Sequence, residues 1–135
     1  MMPILVDSNV ILDIFTKDSK WFEWSSETLA DLAERELLYI NPIIYSEISI
    51  SFERIEELEQ ALPNDYIHRD NLPYEAAFLA GKCFLKYRKS GGIKHAPLPD
   101  FYIGAHAAVR GWNILTRDNG RYQTYFPTLR VISPL

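Results

Sequence analysis

Apolar runs of three or four residues alternate with longer segments of helical periodicity along almost this entire 135-residue chain. Runs that short and that uniformly apolar fit strands covered on both faces, as in a parallel sheet. Pro3–Val6, Leu37–Ile40, Tyr66–His68, Asn113–Thr116 and Arg130–Ile132 read as strands. Helices are expected through Val10–Phe15, from Ser19 to Glu34, from Pro42 past Ile43, Ile44, Glu47 and Ile48 to Ser51, from Ile55 to Leu62, from Pro73 to Ser90, from Asp100 to Gly111, and for one turn near Tyr122–Tyr125. Proline inside the first turn and glycine just past the last mark several of these ends. The alternation predicts an α/β fold, a three-layer α/β/α arrangement with a mostly parallel central sheet, in one domain spanning residues 1–135.

Hydrophobic residues make up 47% of the chain, enough for a packed core and too many for a disordered one. No apolar run approaches the roughly 18 residues of a membrane span. Cys83 is the only cysteine, and the N-terminus reaches Asp7 too soon for a signal peptide. A reducing cytoplasm is the expected compartment, with no membrane partner. The net charge of −4 hides an asymmetry. Residues 18–75 hold 14 acids and 4 bases, whereas residues 76–135 hold 2 acids and 9 bases. Those two acids are Asp100 and Asp118. A basic half of this kind suits a polyanion, and equally suits an ordinary solvated face.

In a parallel α/β fold the carboxyl ends of the strands gather at one edge. Asp7 ends the first strand, Asp100 opens a helix after Pro97-Leu98-Pro99, and Asp118 follows the strand that ends at Thr116. Each of these also has a plain reading as a helix cap or turn residue. Glu47 shares a helix face with Ile43 and Ile44 behind it and Ile50 and Ser51 ahead; on an apolar face it must be paired, protonated or bound to a metal. Carboxylates gathered at one edge repel unless a hard cation joins them, and oxygen-only ligation suits Mg²⁺ or Mn²⁺. Thr116 is placed either to hold a neighbouring carboxylate by its hydroxyl or as a merely structural strand residue, and Ser8 and Asn9, N-cap residues of the first helix, are counted with it as supporting residues. Other chemistries lack their residues: His68, His95 and His106 do not have zinc-site spacing, and there is no glycine-rich phosphate loop or Gly-x-Ser-x-Gly elbow.

Leu5-Val6-Asp7-Ser8-Asn9-Val10-Ile11-Leu12-Asp13, Ser46-Glu47-Ile48, Pro99-Asp100-Phe101-Tyr102-Ile103-Gly104-Ala105-His106-Ala107 and Leu115-Thr116-Arg117-Asp118 resemble, in order, the acidic motifs of PIN-domain nucleases. Arg121-Tyr122 and Tyr125-Phe126-Pro127 extend the last of them. The nearest group is the VapC-type toxins of bacterial toxin–antitoxin pairs. The resemblance implies a Mg²⁺- or Mn²⁺-dependent endoribonuclease with Asp7, Glu47, Asp100 and Asp118 as its acidic residues. It also implies a homodimer, and a cognate antitoxin whose C-terminal segment covers the site. Ser8 departs from the threonine common at its position. RNA contacts are expected from Lys94, His95, Arg117 and Arg121, with Lys82, Lys86, Arg88 and Lys89 as further candidates. Trp21, Phe22 and Trp24 cannot all face one way on a helix and are expected in part to line a groove for the antitoxin. Two rival readings remain: a PIN-like module that binds RNA or a partner without cleaving, and a metal-dependent nuclease acting on DNA flaps.

Overall fold

A computed structural model describes residues 2–95 and 98–134. Five strands, β1 (Pro3–Val6), β2 (Leu37–Ile40), β3 (His68–Arg69), β4 (Asn113–Leu115) and β5 (Val131–Ile132), form one sheet in the order β3-β2-β1-β4-β5. Every neighbouring pair is parallel. Helices α1 (Ser8–Phe15), α2 (Phe22–Arg35), α3 (Pro42–Ser49), α4 (Ile55–Ala61), α5 (Tyr74–Lys89), α6 (Pro99–Arg110) and α7 (Gly120–Tyr125) make the connections and flank the sheet. Ile4, Leu5, Val6, Ile114 and Leu115 are essentially inaccessible to solvent, as strands covered on both faces must be.

The strand order sets the position of the site. From β1 the chain winds outward to β2 and then β3, and afterwards crosses back to β4 and β5 on the other side of β1. Parallel crossovers are right-handed, so reversing direction sends the later helices to the opposite face. α1 packs with α2, and α5 and α7 pack with α6, as that separation requires. Between β1 and β4 the connections leave in opposite directions, which opens a crevice at the carboxyl ends of these two strands. Asp7 and Thr116 are the residues that follow them, and the Asp7 amide still bonds the Leu115 carbonyl at 2.8 Å.

Several boundaries differ from the sequence reading, each for a local reason. α2 starts at Phe22, not Ser19, because Asp18 Oδ1 accepts hydrogen bonds from the Lys20 and Trp21 amides and holds a turn there. α3 ends at Ser49: the next amides, Ser51 and Phe52, bond carbonyls three residues back, and the helix unwinds. Ser51 therefore lies outside the helix, and Ile50 is 86% exposed instead of sharing a buried face with Glu47. β3 begins at His68, since the Tyr66 and Ile67 amides are both taken by the Pro63 carbonyl in a turn. Pro97, half of the stiff approach expected before α6, lies outside the described residues.

Gly104 marks the tightest contact of α6. A Cβ there would sit 2.4 and 2.6 Å from the Phe126 ring. Overpacking of this kind costs about 1–3 kcal/mol. Gly104→Ala is accordingly expected to lower the unfolding free energy by that amount, read as a lower urea midpoint with an unchanged m-value; an unaltered midpoint would show that Phe126 moves aside freely.

Candidate active site

Asp7 is the residue around which the crevice is built. It caps α1, accepting from the Ser8 amide at 2.7 Å, and it is 4% exposed. Its other oxygen accepts from Thr116 Oγ1 at 2.9 Å and from the Tyr122 hydroxyl at 2.8 Å. Thr116 is held in turn. Its hydroxyl accepts from Asn9 Nδ2 at 3.0 Å and from the Asp118 amide at 3.2 Å, leaving its proton for Asp7. Three donors thus fix the carboxylate, yet burial outweighs them. Its pKa is pushed up to about 6 from an ordinary 3.8, by burial first, with the nearby charges of Asp100 and Glu47 adding to the rise.

Asp100 enters from the first turn of α6, and its Oδ1 lies 3.5 Å from the same Tyr122 hydroxyl. Tyr122 therefore stands between two carboxyls from strands and helices far apart in sequence. Burial pushes the Asp100 carboxyl up, Arg121 pulls it down, and Asp118 raises it. Glu47 is half-buried on α3, and Ser8 Oγ donates to its Oε1 at 2.8 Å. Its pKa is also raised, by burial and by Asp100. Asp118 is exposed at the turn after β4, close enough to Asp100 to repel it.

Among the described residues, no three acidic, histidine or cysteine side chains stand close enough to enclose an ion by themselves. Mg²⁺ does not require that. It keeps several waters and is held through one or two carboxylates plus substrate phosphate. Asp7 and Asp100, bridged by one hydroxyl and each with a pKa raised first by burial and then by neighbouring acids, form a donor set of hard oxygens that a divalent cation would relieve. The residues present fit such an ion.

Tyr122 was not singled out as a site residue from the sequence. It reaches Asp7 across 115 residues of chain, and its one local signal is a bulky aromatic in a short helix after the fourth motif. Burial and the two acids raise its pKa well above the ordinary value, so it stays a hydrogen-bond donor. Asp13 was missed as well. It is 2% exposed, accepts from Ser25 Oγ at 2.8 Å, and pairs with Arg117 Nε at 2.8 Å.

That pair ties Arg117 to α1. Its Nε bonds Asp13 and its guanidinium lies over the Trp21 ring, which braces the turn that carries Asp118, while the side chain stays 30% exposed. Arg121 instead lies 3.7 Å from Asp100. Lys94 and His95 are exposed, with the Lys94 carbonyl tied to Arg88. Trp21 packs edge-on against Trp24, which rests on the core, while Phe22 is exposed. The apolar cavity nearest them, 240 Å³ between α1, α2 and the end of α4, is lined by Ile11, Phe15, Leu29, Leu62 and Tyr66 and by none of those three aromatics. His106 is fully buried, held by Asn41 Nδ2 at 2.9 Å and Asp70 at 2.8 Å, and has no access to a metal.

The family model for the PIN domain matches residues 4–127. The chain belongs to the PIN domain family. Nuclease activity is typical of that family. No curated protein sequence matches this PIN domain. Solved structures share its fold end to end. VapBC2 from Rickettsia felis, bound to a DNA fragment from their promoter, aligns at 17% identity and a TM-score of 0.72, covering 98% of both chains. VapBC-1 from nontypeable Haemophilus influenzae gives the same values. FitAcB from Neisseria gonorrhoeae aligns at 21% identity and a TM-score of 0.69, covering 97% of both chains. Among the described residues no helix is long and apolar enough to cross a membrane.

Proposed function

We propose that this PIN domain is a Mg²⁺- or Mn²⁺-dependent endoribonuclease and the toxin of a toxin–antitoxin pair. The observation that carries the reading is Asp7: a buried carboxylate at the sheet's switch point, fixed by three hydrogen bonds and crowded by like charge. A residue kept that way destabilises the fold unless it has a task. Asp7 and Asp100 are the principal ligands in this reading, and Glu47 and Asp118 complete the cluster and orient the attacking water. Ser8 fixes Glu47, Thr116 and Asn9 fix Asp7, and Tyr122 sets the separation of Asp7 from Asp100. A bound divalent ion would supply hydroxide from water near neutral pH and offset charge on the phosphoryl group.

The antitoxin partner is supported by the similar solved structures, among them a toxin–antitoxin complex from Klebsiella pneumoniae. A homodimer and a cytoplasmic location complete the proposal. A single-stranded RNA and its DNA counterpart, each incubated with Mn²⁺, test the substrate class. RNA fragments alone are the expected product; DNA cleavage at an equal rate would favour the rival nuclease, and neither product the binding module. Tyr122→Phe removes the hydroxyl between the two acids. Loss of a supporting hydrogen bond of this kind costs about 10- to 100-fold in metal affinity or activity. The Mn²⁺ concentration for half-maximal cleavage is expected to rise by about tenfold; an unchanged value would detach Tyr122 from the site.

A further inference from the structure

Beside Asp100 lies an open cleft of 250 Å³ lined by Tyr87, Gly120, Arg121, Thr124 and Tyr125. Both tyrosine rings are held in place. Tyr125 packs edge-on against the buried Phe101 ring at 5.0 Å. Tyr87 packs against the same ring at 5.7 Å. Its other constraint comes from the end of α5, where Gly91 turns the chain at φ +93° and the Gly92 amide bonds the Tyr87 carbonyl at 2.9 Å. A Cβ on Gly92 would lie 2.3 Å from the Tyr87 ring, so the backbone itself abuts that ring.

Arg121 is the cation of this cleft. Its guanidinium carbon lies 5.6 Å from the Tyr87 ring centre and 5.7 Å from that of Phe101. Nη1 is buried and has no hydrogen-bond partner among the described residues. The side chain as a whole is 37% exposed, so it remains open to an incoming anion. Nε meanwhile lies 3.7 Å from Asp100 Oδ2, which puts the cleft one side chain from the proposed cleavage centre. Lys86 and Arg88 flank Tyr87 in sequence, on the half of the chain whose only acids are Asp100 and Asp118.

We propose that this cleft is a nucleotide subsite, where an unpaired base of the RNA, adjacent to the scissile phosphate, stacks on the Tyr125 ring while a flanking phosphate meets Arg121. Unstacked bases are taken up by aromatic rings and guanidinium planes, and a base in this cleft must be single-stranded. The proposal rests on the ribonuclease reading and adds a requirement for an unpaired base at one position.

The test uses the full chain with Tyr125→Leu, Tyr125→Phe and Arg121→Gln, each first checked for an unchanged unfolding midpoint. Binding of a fluorescent single-stranded oligoribonucleotide is followed by anisotropy in an Asp7→Asn background, with a second oligonucleotide made abasic next to the position cut by the wild-type protein. Tyr125→Leu is expected to weaken binding of the complete RNA by about tenfold, whereas Tyr125→Phe does not. On the abasic RNA Tyr125→Leu should have no effect, since ring and base are then the two partners of one cycle. Arg121→Gln should weaken both RNAs and lower the salt slope by about one. If Tyr125→Leu weakens both RNAs equally, or neither, the subsite is wrong while the nuclease stands. If the wild-type protein neither binds nor cuts RNA, both readings fall.

Discussion

Asp7→Asn is expected to lower cleavage by at least about a thousandfold and, in the absence of divalent cation, to make the protein more stable. The two effects have one cause. Asp7 is almost fully buried, and its pKa rises from 3.8 to about 6, so keeping it ionised at neutral pH costs the fold about 3 kcal/mol. Asparagine removes that charge and keeps the shape. Its oxygen accepts from the Ser8 amide as before, its amide donates to the Tyr122 hydroxyl, whose proton turns away, and the Thr116 proton turns to the Asp118 carbonyl at 3.3 Å. Urea unfolding in EDTA at pH 7.5 and a cleavage assay with Mn²⁺ measure the two halves. An inactive variant that is also less stable would mean that Asp7 is mainly a structural cap.

The metal-free protein and the cation-loaded protein respond oppositely to pH. Without cation, the folded state holds a proton on Asp7 between about pH 4 and 6 that the unfolded chain has already released. Stability from this group is therefore complete below pH 4 and is lost as pH rises through 6. Glu47 and Asp100, also raised by burial, act in the same direction. His106 acts in the other: burial lowers its pKa, so it favours the folded state as pH rises toward 6.5. The diagnostic is consequently the difference between wild type and Asp7→Asn, in which His106 cancels. Going from pH 5 to 7.5 in EDTA, the wild type should lose about 1.4 kcal/mol relative to the variant. With Mn²⁺ at about a hundred times its Kd, wild type at pH 7.5 should regain about 2.7 kcal/mol, a gain that fades at pH 5 as protons compete for the ligands. A parallel pH response of the two proteins would remove the buried charge from the account.

The acids at strand ends and helix starts were legible because local chemistry marks them. Val6-Asp7 and Leu115-Thr116 break apolar runs at the sheet edge, and proline precedes Asp100, so a parallel topology alone brings them together. Glu47 was singled out on a face that Ile50 does not share; what holds it is a hydrogen bond from Ser8, a partner 39 residues away. Tyr122, the link between Asp7 and Asp100, left little trace because its role exists only across the fold. Arg117 is read from the sequence as a phosphate contact beside Asp118, and the sequence does not show that Asp13, buried in α1, also holds its Nε. Pairings of this kind depend on which way a side chain leaves its element, which hydrophobic periodicity does not record.

The most direct measurement is the anomalous difference map of crystals soaked in Mn²⁺ at pH 7.5. A peak within bonding distance of the Asp7 and Asp100 carboxylates, absent from Asp7→Asn crystals, is the predicted result. A well-diffracting crystal with no peak there, or with manganese bound only at the surface acids of residues 18–75, would contradict the claim that these carboxylates hold a catalytic ion.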